Sequence, residues 1–134
     1  MTIAVVIADD SRHQRTGWRM VLESQADISI VGEAGDGARA LAIVRRAPTD
    51  VVLIDLHMPR VNGLVASQRI LTDEVVNELG PAPRIVLATA LELDDHVAEA
   101  ARAGVFAVVH KDVEPEALLE IVRAAAVAVD DRRG

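Results

Sequence analysis

Val51-Val52-Leu53-Ile54-Asp55-Leu56-His57-Met58-Pro59-Arg60-Val61-Asn62-Gly63 decides the fold: four apolar β-formers in succession run straight into a carboxylate. An apolar run without alternation is the pattern of a strand buried on both faces, as in the middle of a parallel sheet covered by helices. Asp55 then falls at the carboxyl end of that strand, where the loops of an open α/β sheet line a ligand crevice. Pro59 fixes its own φ and holds Met58 extended, giving a rigid exit, and Gly63 closes the loop before the next helix.

Upstream, Thr2 to Ala8 repeats the pattern and ends in Asp9 and Asp10. Ser11 with Gln14 three residues on is a capping-box start for a helix over Ser11 to about Ser24, with Trp18, Val21 and Leu22 inward. Ile28 to Ala34 is a second strand, and Gly35-Asp36-Gly37 turns into a helix that carries Leu41 and Val44 and ends before Pro48. Downstream, the spacing of Leu64, Ile70, Leu71 and Val75 predicts one helix from Gly63 to about Leu79, stopped by Gly80-Pro81-Ala82-Pro83. Ile85 to Ala88 makes a fourth strand with Thr89 at its end. A helix over Leu91 to Ala103 opens on Glu92, Asp94 and Asp95, acids suited to a helix N-terminus. Val105 to His110 is a fifth strand leading to Lys111, and Pro115 opens the last helix with Leu118, Leu119, Val122 and Ala125 inward. Residues 1–129 form one domain, and 130–134 read as a tail or the start of a linker.

Five strands alternating with five helices predict a flavodoxin-like (βα)5 three-layer sandwich, a parallel five-stranded sheet in order 2-1-3-4-5. That order sets strands one and three side by side, so Asp9, Asp10 and Asp55 converge. Three carboxylates within about 5 Å repel by roughly 3 kcal/mol per pair at an effective dielectric near 20. Such a cluster calls for a counter-ion, and an all-oxygen site with room for water suits Mg²⁺, with Mn²⁺ as the alternative. Thr89 and Lys111 reach the same rim. A carboxylate nucleophile, a divalent cation, a hydroxyl and an ammonium are the parts needed to accept a phosphoryl group.

Composition excludes other classes. The chain has 134 residues, 51% of them hydrophobic, and no cysteine, so disorder, disulfides and thiolate chemistry are out. Its net charge of −7 argues against nucleic-acid contact by this domain itself. The apolar N-terminus lacks a basic flank and meets Asp9 and Asp10 at once, so it is neither a signal peptide nor a membrane span, and a cytoplasmic location is expected. A cobalamin-type Asp-x-His-x-x-Gly reading of Asp55 and His57 fails because Arg60 stands at the glycine. A dehalogenase-type phosphatase reading fails because His57 stands where a second Asp is required. His13, His96 and His110 have no ligand-like spacing.

Asp9-Asp10, Asp55 with Met58-Pro59 and Gly63, Thr89 and Lys111 together resemble, in order and spacing, the receiver domain of bacterial two-component response regulators. Gly32 to Gly37 and Lys111-Asp112 followed by Glu114-Pro115 are similar to receivers that precede a LuxR-type DNA-binding domain. The resemblance implies that Asp55 takes a phosphoryl group from a sensor histidine kinase. It implies direct Mg²⁺ ligation by Asp10 and Asp55, ligation through water by Asp9, and ligation through the backbone carbonyl of His57. Thr89 and Lys111 would contact the phosphoryl oxygens. Such a protein is not an enzyme beyond its own phosphorylation and dephosphorylation, would signal through an output domain absent from this chain, and admits a homodimer on phosphorylation. A phosphate-independent interaction module is the competing reading. The sequence departs from the family pattern at Val108, where an aromatic residue is usual, at Arg60 and Asn62 in place of Gly and Asp, and in a longer Leu71 to Pro83 stretch. Phe106 is expected on the same face of the fifth strand as Val108.

Overall fold

Strand β1 (Ile3–Ala8) is followed by α1 (Arg12–Glu23), β2 (Ile28–Ala34), α2 (Gly37–Arg46), β3 (Val51–Asp55), α3 (Gly63–Thr72) and α4 (Glu74–Glu78). Then come β4 (Arg84–Thr89), α5 (Asp94–Arg102), β5 (Ala107–His110) and α6 (Pro115–Arg133). These elements belong to a computed structural model that describes residues 2–91 and 94–133, the side chains of 94, 95 and 129–133 excepted. All strand pairings are parallel and the order is β2-β1-β3-β4-β5, as the sequence predicts.

The unbroken apolar runs divide their side chains between two cores. Val6, Ala8, Val52, Ile54, Ile85 and Leu87 pack with residues of α2 to α5 on one face of the sheet. Val5, Ile7, Val51, Leu53, Val86 and Ala88 pack with Trp18 and Leu22 of α1 and Leu118 and Val122 of α6 on the other. Burying a side chain such as Leu53 or Ile54 contributes roughly 1.5–3 kcal/mol, so the three central strands anchor the fold. No described helix is long and apolar enough to cross a membrane.

Four boundaries differ from the sequence reading by more than one residue. The helix expected from Gly63 to about Leu79 is broken at Asp73, which adopts extended backbone, ends α3 and caps α4 by accepting from the Val76 amide at 3.0 Å. The same carboxylate receives two hydrogen bonds from Arg45 of α2, at 2.6 and 3.0 Å. Asp competes with helical backbone through its side chain, and a guanidinium on a neighbouring helix decides the contest. Helix α5 begins at Asp94 rather than Leu91; Glu92 lies outside the described residues, as do the side chains of Asp94 and Asp95. Strand β5 begins at Ala107 rather than Val105. The last helix continues along the backbone through residues 130–133, read from sequence as a tail or linker start, and Gly134 lies outside the described residues.

Candidate functional site

Register places the site. Ala8 pairs with Ile54 and Asp55 with Ala88, so Asp9 and Asp55 leave adjacent strands side by side, with Thr89 one residue past Ala88 and paired to His110. Asp9 and Thr89 are fully buried and Asp55 is 1% exposed, whereas Asp10 is exposed. Gly63 makes this packing possible. A Cβ on it would lie 2.1 Å from the Asp55 carbonyl oxygen, so only glycine lets α3 start against the end of β3, where its amide donates to the Leu56 carbonyl at 2.8 Å.

Each buried carboxylate uses one oxygen on its own loop. Asp9 Oδ1 accepts from the Ser11 amide at 2.8 Å, and Asp55 Oδ1 accepts from the His57 amide at 3.1 Å. The capping box expected at α1 is therefore half-formed: Ser11 Oγ accepts from the Gln14 amide, but the Ser11 amide goes to Asp9. The two Oδ2 atoms face Lys111, whose ammonium lies 2.9 Å from that of Asp9 and 3.1 Å from that of Asp55. Burial raises the Asp55 carboxyl above its usual range, the Asp9 charge adds to this, and Lys111 and the His57 amide oppose it. Burial opposes the charge on Lys111 as well, but hydrogen bonds to Asp9 and Asp55 outweigh it and hold the ammonium above its usual value. Lys111 is thus the resident counter-ion of a carboxylate cluster.

The donor set fits a hard divalent cation. Asp9, Asp10 and Asp55 each offer a carboxylate oxygen, all within 4.8 Å of one another. Among the described residues, the buried Oδ2 atoms of Asp9 and Asp55 have no aligned hydrogen-bond donor beyond the Lys111 contact. All-oxygen coordination with solvent access through exposed Asp10 matches Mg²⁺ or Mn²⁺ rather than zinc.

Thr89 sits on the predicted rim, with its Oγ1 accepting from the Leu91 amide at 3.0 Å and its carbonyl from the Lys111 amide at 2.9 Å. The His57 side chain is exposed, and its ring meets His96 edge-on with centroids 6.0 Å apart, a pairing that sequence spacing does not reveal. Two more residues escape the sequence reading. Arg15 donates from its guanidinium to the Asp9 carbonyl and pairs with Glu33. His110 bridges the β4 and β5 loops through both ring nitrogens. The only sequence signal for His110 is its place before Lys111, and its partner across the loop appears only once β4 and β5 are paired.

The departures in the loop after Asp55 have separate explanations. Asn62 caps α3 by accepting from the Val65 amide at 2.9 Å, as an Asp would. Arg60 takes φ +69° while the Val61 amide donates to the Pro59 carbonyl at 2.8 Å, the strained form of γ-turn in which glycine is at ease. The longer segment after α3 is the extra helix α4. Phe106 corrects the expected alternation: it precedes β5, packs with the Val109 core and lies 5.0 Å from the Arg84 guanidinium, whereas Val108 packs with the opposite core.

Comparison with known proteins agrees with this geometry. The chain is 37% identical over 124 residues to an uncharacterized transcriptional regulatory protein of Bacillus subtilis, YxjL, covering 92% of this chain and 54% of the relative. It is 35% identical over 122 residues to the nitrate/nitrite response regulator NarP of Escherichia coli, covering 91% and 54%. The chain thus spans about half the length of the curated relatives it matches. Among solved structures, the signal receiver domain of the putative response regulator NarL from Mycobacterium tuberculosis superposes with a TM-score of 0.82 at 27% identity, covering 94% of this chain and 97% of that one. A LuxR-family two-component response regulator from Aurantimonas gives a TM-score of 0.83 at 25% identity, covering 96% and 87%. The response regulator receiver domain model matches residues 5–123. With β1 to β5 in the order 2-1-3-4-5 and Asp9, Asp10, Asp55, Thr89 and Lys111 at one sheet edge, the chain belongs to the response regulator receiver domain family.

Proposed function

We propose that this domain accepts a phosphoryl group on Asp55 from the phosphohistidine of a sensor kinase, in a reaction that needs Mg²⁺ or Mn²⁺, and thereby controls a transcriptional output. The observation that carries the reading is the Lys111 ammonium between Asp9 and Asp55, at 2.9 and 3.1 Å, with the exposed Asp10 carboxylate alongside. An ionised Asp55 oxygen attacks phosphorus, a P–O bond forms as the P–N bond breaks, and the departing imidazole nitrogen takes a proton. No general base is required, because the attacking carboxylate carries no proton. Lys111 favours the ionised form of Asp55 against the burial that raises its carboxyl and afterwards pairs with a phosphoryl oxygen; the Thr89 hydroxyl, turned from the Leu91 amide, donates to another. Asp9, Asp10, Asp55 and the His57 carbonyl would hold a divalent cation, which would supply charge neutralisation for the transferring group.

The domain so read performs chemistry only on itself and works in the cytoplasm. Relatives named transcriptional regulatory proteins are about twice its length, which supports an output through DNA binding elsewhere in a longer protein; a phosphorylation-dependent dimer belongs to the same proposal. Incubation with Mg²⁺ and acetyl phosphate, followed by intact mass, tests the reading. One phosphate per chain that is lost in Asp55→Asn is the expected result; no adduct, under conditions that label a control receiver, would point to a phosphate-independent interaction module.

A further inference from the structure

We propose that His110 is a positioning residue that struts the ends of β4 and β5 and holds the Thr89 loop in the arrangement it has before phosphorylation. The inference rests on the phosphoryl-acceptor reading above. His110 Nε2 lies 3.2 Å from the Ala90 carbonyl oxygen, and Nδ1 lies 3.1 Å from the Asp112 amide nitrogen. A carbonyl can only accept and an amide N–H can only donate, so both bonds hold together in one form of the ring: neutral, with the proton on Nε2. The Asp112 carboxylate, 3.6 Å from Nδ1, would pair only with a protonated ring.

Both partners adjoin residues of the site, Ala90 following Thr89 and Asp112 following Lys111. The Thr89 hydroxyl accepts from the Leu91 amide at 3.0 Å, so residues 89–91 close on themselves around the carbonyl that His110 grips. For Thr89 to turn towards a phosphoryl group on Asp55, the Leu91 amide must be released and the intervening peptide must shift. The His110 bond to Ala90 opposes that shift. Val108 and His110 share a face of β5 by alternation, so the ring that Val108 lacks is present two residues nearer the site. There it is coupled to the loop by hydrogen bonds instead of by filling space.

Because the His110 side chain is 38% exposed, substitutions should leave the fold intact. His110→Leu removes both bonds. His110→Gln keeps an N–H near the position of Nε2, and His110→Asn keeps an acceptor near the position of Nδ1. With Mg²⁺ present, beryllofluoride should bind His110→Leu about fivefold more tightly than wild type, the effect of losing one net hydrogen bond of about 1 kcal/mol. His110→Gln should return towards wild type and His110→Asn should not, and Mg²⁺ affinity should be the same in all four proteins. Amide exchange reads the strut separately: Asp112 should lose protection severalfold in His110→Leu and regain it in His110→Asn. Equal beryllofluoride affinity in wild type and His110→Leu, or failure of glutamine to restore it, overturns the proposal. If wild type binds no beryllofluoride, the functional reading fails. Amide exchange at Asp112 and Leu91 then decides the strut, with unchanged protection in His110→Leu refuting it.

Discussion

The ammonium of Lys111 lies 3.1 Å from Asp55 Oδ2, although the two residues leave strands separated by β4. Asp55 therefore carries its own cation before any metal or phosphoryl group arrives. That cation also holds Asp9, at 2.9 Å. The three groups form one electrostatic unit, and disturbing any member changes the others.

Asp55→Asn should abolish phosphoryl uptake and stabilise the metal-free protein by about 1–2 kcal/mol, because it removes one of two adjacent buried carboxylates. Burial raises the folded-state pKa of Asp55 above its unfolded value. The folded state therefore binds more protons between those two values, and this residue's contribution to stability falls as pH rises through the folded pKa. Asp55→Asn should remove that component from urea melts run across the acidic range. A variant no more stable than wild type at neutral pH would contradict this account of the cluster.

Magnesium should raise the melting temperature by binding the native state, by about 2.7 kcal/mol in stability at a hundredfold excess over the dissociation constant. Asp10→Ala should lose most of that gain while costing little in the metal-free protein, since Asp10 is exposed. Equal Mg²⁺-dependent shifts in the two proteins, followed by scanning fluorimetry, would remove Asp10 from the ligand set.

Lys111→Met should destabilise the metal-free domain by about 3 kcal/mol, leaving two buried carboxylates without their cation. It should also bind Mg²⁺ more tightly than wild type, because the competing positive charge is gone. Calorimetric titration that finds weaker Mg²⁺ binding in the variant would mean Lys111 supports the metal site instead of competing with it.

Arg60→Gly should stabilise the fold by up to about 1 kcal/mol. The left-handed φ of Arg60 costs an L-residue about 1–2 kcal/mol, part of which returns as glycine's larger unfolded-state entropy. Urea denaturation with an unchanged m-value and a higher midpoint is the expected result, and a lower midpoint would show that the Arg60 side chain contributes more than its backbone strain costs.

Beryllofluoride should shift amide resonances outside the pocket mainly between residues 89 and 110. The loop after Thr89, α5 and the edge strand β5 are the elements whose contacts change when Thr89 and Lys111 gain a phosphoryl partner. Largest changes in α1 or α2 instead would mean the signal leaves the site by another route.

Much of this molecule is legible along the chain because its strands are buried on both faces. Val51 to Ile54 and Thr2 to Ala8 read as central strands from their apolar runs, Ile85 to Ala88 reads as a fourth strand, and each leads to a residue of the site, Asp55, Asp9 and Thr89. Alternation and crossover handedness predict a parallel sheet, and the flavodoxin-like order expected for it already implied the convergence of Asp9, Asp10, Asp55, Thr89 and Lys111 on one edge. What only the tertiary structure decided is whatever depends on partners distant in sequence. Arg45 fixes the break at Asp73 from another helix, and the Asp55 carbonyl excludes any side chain at position 63. His110 finds the Ala90 carbonyl only after β4 and β5 pair. Local pattern reports how one segment is solvated, whereas a cap, a clash or a strut is set by single atoms that another segment brings within hydrogen-bonding distance.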